Sequence, residues 1–118
     1  MTATATIVDA WMQHPTAGFL DLPMFASLRR WLGRDGMPGE IPIEATVEAF
    51  RGAGVARALV CAWWGPCGPI ITNDEVATMV RAAPELFVGV GSVDLSRPMR
   101  AVDEARRCVE ELGFRAIR

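Results

Sequence analysis

Few side chains in this sequence can do chemistry, and most of them sit at the ends of apolar runs. The only histidine, His14, closes the stretch Ile7-Val8-Asp9-Ala10-Trp11-Met12-Gln13-His14. An imidazole changes charge near neutral pH, so His14 is the candidate catalytic residue for proton transfer. Pro15 follows and pushes its backbone toward an extended conformation. The competing reading is a loop histidine that hydrogen-bonds locally. Trp11, Trp63 and Trp64 end or follow apolar runs and offer flat walls for a substrate pocket, with rim packing as the alternative. Arg118 carries a guanidinium that can fork onto a substrate carboxylate; otherwise it is a charged residue at a chain end. Asp94 either faces the same pocket or caps the turn Asp94-Leu95-Ser96. With Gln13, these five form the candidate substrate-binding set.

Metal ligation is not expected of these residues. Tight tetrahedral binding needs three or four converging nitrogen, sulfur or carboxylate donors. On an extended strand Asp9 and His14 would face opposite ways and lie roughly 17 Å apart. Gln13 offers only a neutral carbonyl oxygen. Cys61 and Cys67 lack zinc-ribbon spacing, and with Cys108 they make an odd count without a disulfide pattern. All three are read as small buried hydrophobes or inert thiols, which suits a reducing cytoplasm. Two glycine-rich segments are not phosphate loops. Gly52-Ala53-Gly54 lies between a helix and a strand, and Gly65-Pro66-Cys67-Gly68-Pro69 lacks the Gly-Lys-Ser/Thr ending.

The elements that position these groups follow from periodicity. Strands are expected at about residues 6–12, 57–63, 86–93 and 114–117. Arg57 to Trp63 is mostly apolar, as in a strand buried on both faces. Between them lie helices. Pro23 to Leu32 carries the stripe Met24, Phe25, Leu28, Trp31 and Leu32, with Gly33 as a left-handed cap. Ile43 to Arg51 buries Ile43, Val47 and Phe50. Thr72-Asn73-Asp74-Glu75 is a capping box that opens a third helix. Ser96 is read as the cap of a fourth, Arg97 to Leu112, with Ala101, Ala105, Cys108, Val109 and Leu112 buried. Strand, crossover helix and next strand in turn imply a parallel sheet in spatial order 1-2-3-4.

Composition narrows the class. The chain has 118 residues, is 51% hydrophobic and carries a net charge of −2. That gives a real core and no basic excess for nucleic acid. The longest wholly apolar run, Ala58 to Trp64, is far below the roughly 20 residues that span a bilayer.

Three segments carry a family resemblance. Thr6-Ile7-Val8-Asp9 is similar to the first strand of amidohydrolase-related (β/α)₈ barrels. Phe87-Val88-Gly89-Val90-Gly91-Ser92-Val93-Asp94 resembles their third strand, F-x-G-x-x-x-V-D. Glu111-Leu112-Gly113-Phe114-Arg115-Ala116-Ile117-Arg118 resembles the fourth, E-L-G-F-x-G-I-[RK]. The resemblance implies an α/β fold whose parallel (β/α) units form the first half of a TIM-like barrel, residues 1–118 being its N-terminal part. It also implies a hydrolase or a decarboxylase-like carbon–carbon lyase for a small carboxylated or amide-like substrate. The family opens Asp-x-His-x-His to bind metal. Here the matching positions are Asp9, Trp11 and Gln13, so both histidines are replaced. No metal or other cofactor is expected in this segment, while a divalent ion such as zinc is compatible with a longer parent. Further family residues fall beyond Arg118, so this segment alone is expected to be inactive. The expected partner is a small-molecule substrate, with self-association through open sheet edges. Two rival readings stay open: a non-catalytic interaction or small-molecule-binding module, and a self-contained flavodoxin-like domain.

Overall fold

The computed structural model describes residues 5–33 and 40–118. Its main sheet contains β1 (Ile7–Met12), β2 (Val55–Cys61), β5 (Phe87–Gly91) and β6 (Ala116–Ile117), adjacent in that order and all parallel. Each main strand lies beside the next one in the chain. A doubly wound sheet would place β1 between two later strands, so the flavodoxin-like alternative is excluded.

Register decides which side chains face the helices. Ala58 pairs with Phe87 and Val60 with Gly89. Ala58, Val60, Ala62 and Phe87 join Val76, Met79, Cys108 and Phe114 in the buried core. The alternate residues Leu59, Cys61, Val88 and Val90 face the other way. Val90 pairs with Ala116, which puts Ala116 and then Arg118 on that second face. In a closed barrel this second face is the interior.

The helices are α1 (Ala17–Leu20), α2 (Ala26–Trp31), α3 (Ile43–Gly52), α4 (Asn73–Ala82) and α5 (Pro98–Glu110). The capping box at α4 forms as read: Thr72 Oγ1 accepts the Glu75 N–H, and Glu75 accepts the Thr72 N–H. Val47 is buried and Ile43 and Phe50 pack on the core, as the α3 pattern requires.

Four expectations need correction. Pro23–Phe25 is a 3₁₀ turn before α2, so no single helix runs from Pro23 to Leu32. Phe25 packs edge-on against Phe19, with centroids 4.9 Å apart, but Met24, Leu28, Trp31 and Leu32 are exposed. Ser96 does not cap α5. Its N–H and hydroxyl both donate to Asp94 Oδ1, and Arg97 holds the cap position before Pro98. Val109 is exposed, one position around the helix from buried Cys108. Finally, Trp63 lies outside β2. It begins a separate antiparallel hairpin of β3 (Trp63–Gly65) and β4 (Gly68–Ile71). Gly68, at φ +126°, makes the tight return that Pro66 and Cys67 need.

Gly89 is where β5 meets the last connection. A methyl added there would lie 2.3 Å from Cδ1 of Phe114, which is itself fully buried. Gly89→Ala is expected to destabilise the chain by roughly 1–3 kcal/mol in urea unfolding through overpacking. Gly52→Ala, at a helix position with open space around it, is the matched control and is expected to be neutral or slightly stabilising.

Candidate functional site

Three of the candidate residues converge where the strands end. In a flat sheet the three strand spacings between β1 and β6 would hold them about 14 Å apart. Yet Arg118 Cζ stands 4.0 Å from the Trp11 ring centroid and 5.7 Å from that of Trp63. Two long side chains on the inner face of a curved sheet close that gap. The Arg118 backbone is fixed by its N–H, which donates to Gly91 O at 2.9 Å. Trp63 is backed by Phe19, with ring centroids 6.0 Å apart. Among the described residues no carboxylate pairs with the Arg118 guanidinium. The stack is a cation held by indole faces with its N–H donors still to be used.

Cys61 lies on the same face, buried beneath this stack. Burial pushes its thiol up; a backbone hydrogen bond at Met12 and the Arg118 charge pull the other way. Asp9 turns back on its own strand, where its Oδ1 accepts the Trp11 N–H at 2.9 Å. The β1 ladder is irregular between Asp9 and Met12, which matches that local turn. Gln13 is half-buried after the strand and is not part of the stack.

These donors do not fit a divalent ion. An indole has no lone pair to give, the Gln13 amide is neutral, and one Asp9 oxygen is engaged. Among the described residues no three His, Cys, Asp or Glu side chains group to hold a metal.

His14 points away from the stack, into the join between the β1 loop and α3. It is 5% exposed. Nε2 lies 2.8 Å from Ile41 O, and a carbonyl only accepts, so Nε2 carries a proton. Nδ1 lies 3.0 Å from Thr46 Oγ1; in the neutral ring it accepts the Thr46 hydroxyl proton. Both ring nitrogens are therefore engaged by the fold, which is the local hydrogen-bonding reading, and neither is free to reach a substrate.

Trp64 and Asp94 are drawn apart from the stack. Adjacent residues on a strand face opposite sides, so Trp63 and Trp64 serve different surfaces. Trp64, Cys67, Asp94, Arg97, Arg100 and Glu104 line a groove of about 490 Å³ outside the hairpin. Asp94 caps its turn there, and Ser96 holds its carboxyl below the usual range. Of the three thiols, Cys61 and Cys108 are buried and Cys67 is exposed. The sequence reading missed Asn73. Its side chain accepts the Ser92 N–H and donates to Ser92 O and Glu104, while Ser92 Oγ accepts the Trp64 N–H. Its position inside the capping box was the only signal, and that signal says helix start rather than rim support.

Four parallel strands, each beside the next main strand of the chain and with helices on one face, are part of a TIM-type barrel. The chain belongs to the amidohydrolase family, whose pattern matches residues 37–118. Over 45 residues it is 38% identical to a 2-amino-3-carboxymuconate-6-semialdehyde decarboxylase of Dictyostelium discoideum, a match covering 38% of this chain and 12% of that protein. Its fold is similar to an uncharacterized TIM-barrel protein from Bordetella bronchiseptica, with a TM-score of 0.68 and 22% identity over 96% of this chain and 43% of that one. It is also similar to a dihydroxybenzoic acid decarboxylase from Polaromonas sp. JS666, solved with manganese and the inhibitor 2-nitroresorcinol. There the TM-score is 0.67 and identity 18%, over 97% of this chain and 38% of that one. The chain thus spans less than half the length of these structures.

Two measurements probe the site's supports. His14→Ala removes a buried ring and leaves Thr46 and Ile41 O without it. It is expected to cost about 1–3 kcal/mol in urea unfolding, and Thr46→Val should add little once His14 is gone. For the thiols, burial raises Cys108 to about 11 and raises Cys61 as well. At pH 8 both stay protonated and enclosed, so a disulfide reagent should label Cys67 alone until the chain is unfolded.

Proposed function

We propose that this chain forms one wall of the substrate site of an amidohydrolase-type hydrolase or carbon–carbon lyase acting on a small carboxylated or amide-like molecule. The observation that carries this reading is the convergence of Trp11, Trp63 and Arg118 at the C-terminal ends of parallel strands. That end of a (β/α) barrel is where active sites form. The decarboxylases it is similar to favour the lyase side. In such a reaction the carbon–carboxylate bond breaks, carbon dioxide leaves, and a proton takes the place of the carboxyl group. The guanidinium would orient the carboxylate and the indoles would hold the body of the substrate. Gln13 would contact substrate only from the edge of the rim, and Trp64 and Asp94 would serve the groove outside the hairpin.

His14 then acts as a positioning residue. By tying the loop after β1 to α3 it fixes the direction in which Trp11 leaves the strand. The proton-transfer groups would come from outside residues 1–118, so this chain alone should show no turnover. Three free thiols suit a cytoplasmic setting.

A second reading, a non-catalytic association module, is favoured by one observation. Trp31 is 82% exposed and Met99 76%, and among the described residues the outer edges of β1 and β6 have no strand partner. Apolar surface and open edges of this kind promote self-association.

Equilibrium dialysis against 2,6-dihydroxybenzoate, with a parallel assay for carbon dioxide release, separates the two. The first reading expects saturable retention without turnover, and a loss of roughly tenfold in affinity for Arg118→Gln, the value of one charged hydrogen-bonded contact. Equal retention by Arg118→Gln and Trp11→Leu would sink it. Concentration-dependent dimerisation with no retention would support the association module.

A further inference from the structure

The rim that faces the barrel interior has a fixed positive charge, and a side chain supplies it. We infer that the Arg118 guanidinium, held against Trp11 and Trp63, is the resident cation of this rim, and that the rim binds carboxylates carried on a planar ring without a divalent metal ion.

The first strand argues against a metal. Trp11 has no in-plane lone pair, Gln13 is a neutral amide, and Asp9 Oδ1 is committed to the Trp11 N–H. Among the described residues no group of three His, Cys, Asp or Glu replaces them. Arg118 adds a second obstacle. Its Cζ is 4.0 Å from the Trp11 ring, so a dication bound at position 11 would sit against a permanent positive charge.

The same geometry suits an anion. One side of the guanidinium is covered by the Trp11 face, and no described carboxylate occupies its N–H donors. Trp63 stands farther off, at 5.7 Å, which leaves the guanidinium more open on that side. A carboxylate taking the donors would bring its ring against an indole, where offset stacking is favourable. Cys61 below is neutral, because burial keeps its thiol protonated, and so does not compete for the cation.

This inference rests on the carboxylate-binding reading of the same site, and its test separates the two. The chain has four tryptophans, so ¹⁵N labelling gives a small set of indole N–H signals that single Trp→Phe variants assign. Sodium benzoate is titrated in EDTA, then in MnCl₂, then in ZnCl₂. The expected result is that the Trp11 and Trp63 indole signals move while that of Trp31 does not. Affinity should agree within about twofold across the three conditions, and Arg118→Gln should weaken it roughly tenfold or more. Mn²⁺ alone should leave the Trp11 signal sharp. Benzoate binding that needs Mn²⁺ or Zn²⁺, or broadening of Trp11 by stoichiometric Mn²⁺, overturns the inference and leaves the carboxylate reading standing. Unchanged binding by Arg118→Gln also overturns it. No indole shift in any condition overturns both. Arg118 is exposed, so its substitution leaves the core intact, and the backbone amide dispersion of the same spectra verifies the fold. Trp11→Leu gives an independent variant with the same expected loss.

Discussion

One buried amide ties the rim to the helices. Asn73 starts α4, yet its side chain works across the sheet: it closes on both the N–H and the carbonyl of Ser92 and donates a further hydrogen bond to Glu104 on α5. Ser92 passes the constraint on, because its hydroxyl accepts the Trp64 N–H at 2.9 Å. The hairpin is thereby docked against the end of β5, and the direction of Trp63 follows from that of Trp64. Arg107 completes the frame by bridging Glu104 and Asp74, and its hydrogen bonds hold the Glu104 carboxyl below the ordinary range. This stability is present above the usual carboxylate pKa and is lost as pH falls through the lowered value. A network like this contributes mostly by leaving nothing unpaired: among the described residues no buried side-chain polar atom lacks a partner.

The second constraint is curvature. A parallel sheet presents paired residues on a common face, so the inner face is set once the register is set. Here that face carries Cys61, Val90 and Ala116 below and aromatic or cationic groups above. Small side chains low on the face and long ones at the strand ends let the ends approach across the concavity. A cation–indole contact is worth only about 0.5–1 kcal/mol when exposed and more when desolvated. The stack is therefore a consequence of the curved sheet and not its cause, and its exposure to solvent leaves it free to exchange partners.

The sequence revealed the skeleton well and the rim poorly, for physical reasons. The main strands, their order, and the capping box of α4 follow from local periodicity and pairing chemistry, which a linear pattern records. The hairpin escaped because Pro66 and Pro69 mask a short strand pair that tertiary docking stabilises. Ser96 is not the cap its type suggests, because its hydroxyl donates to Asp94, two residues earlier, instead of accepting an N–H of the helix. His14 shows the limit for single residues. Its type suggests proton transfer, but its partners Thr46 and Ile41 lie far along the chain, and only the fold brings them to both nitrogens. Trp11, Trp63 and Arg118 were each legible as rim residues, whereas their contact depends on curvature that no local pattern encodes.

The apolar periodicity that misled on burial has a physical meaning of its own. The stripe read on Pro23–Leu32 is real as a pattern, yet Met24, Leu28, Trp31 and Leu32 face solvent in this chain. On α5 the same holds for Met99, Val102 and Val109, which lie around the helix from buried Ala101 and Cys108. A helix on the outside of a (β/α) barrel packs on the sheet with one face and on neighbouring helices with its flanks. Its apolar arc is therefore wider than the part that one sheet covers. The α5 residues left over in this structure fall on such a flank, around the helix from the buried Ala101 and Cys108. Amphipathic pattern and burial thus disagree on the helix flanks, where the apolar arc extends past the part that the sheet covers.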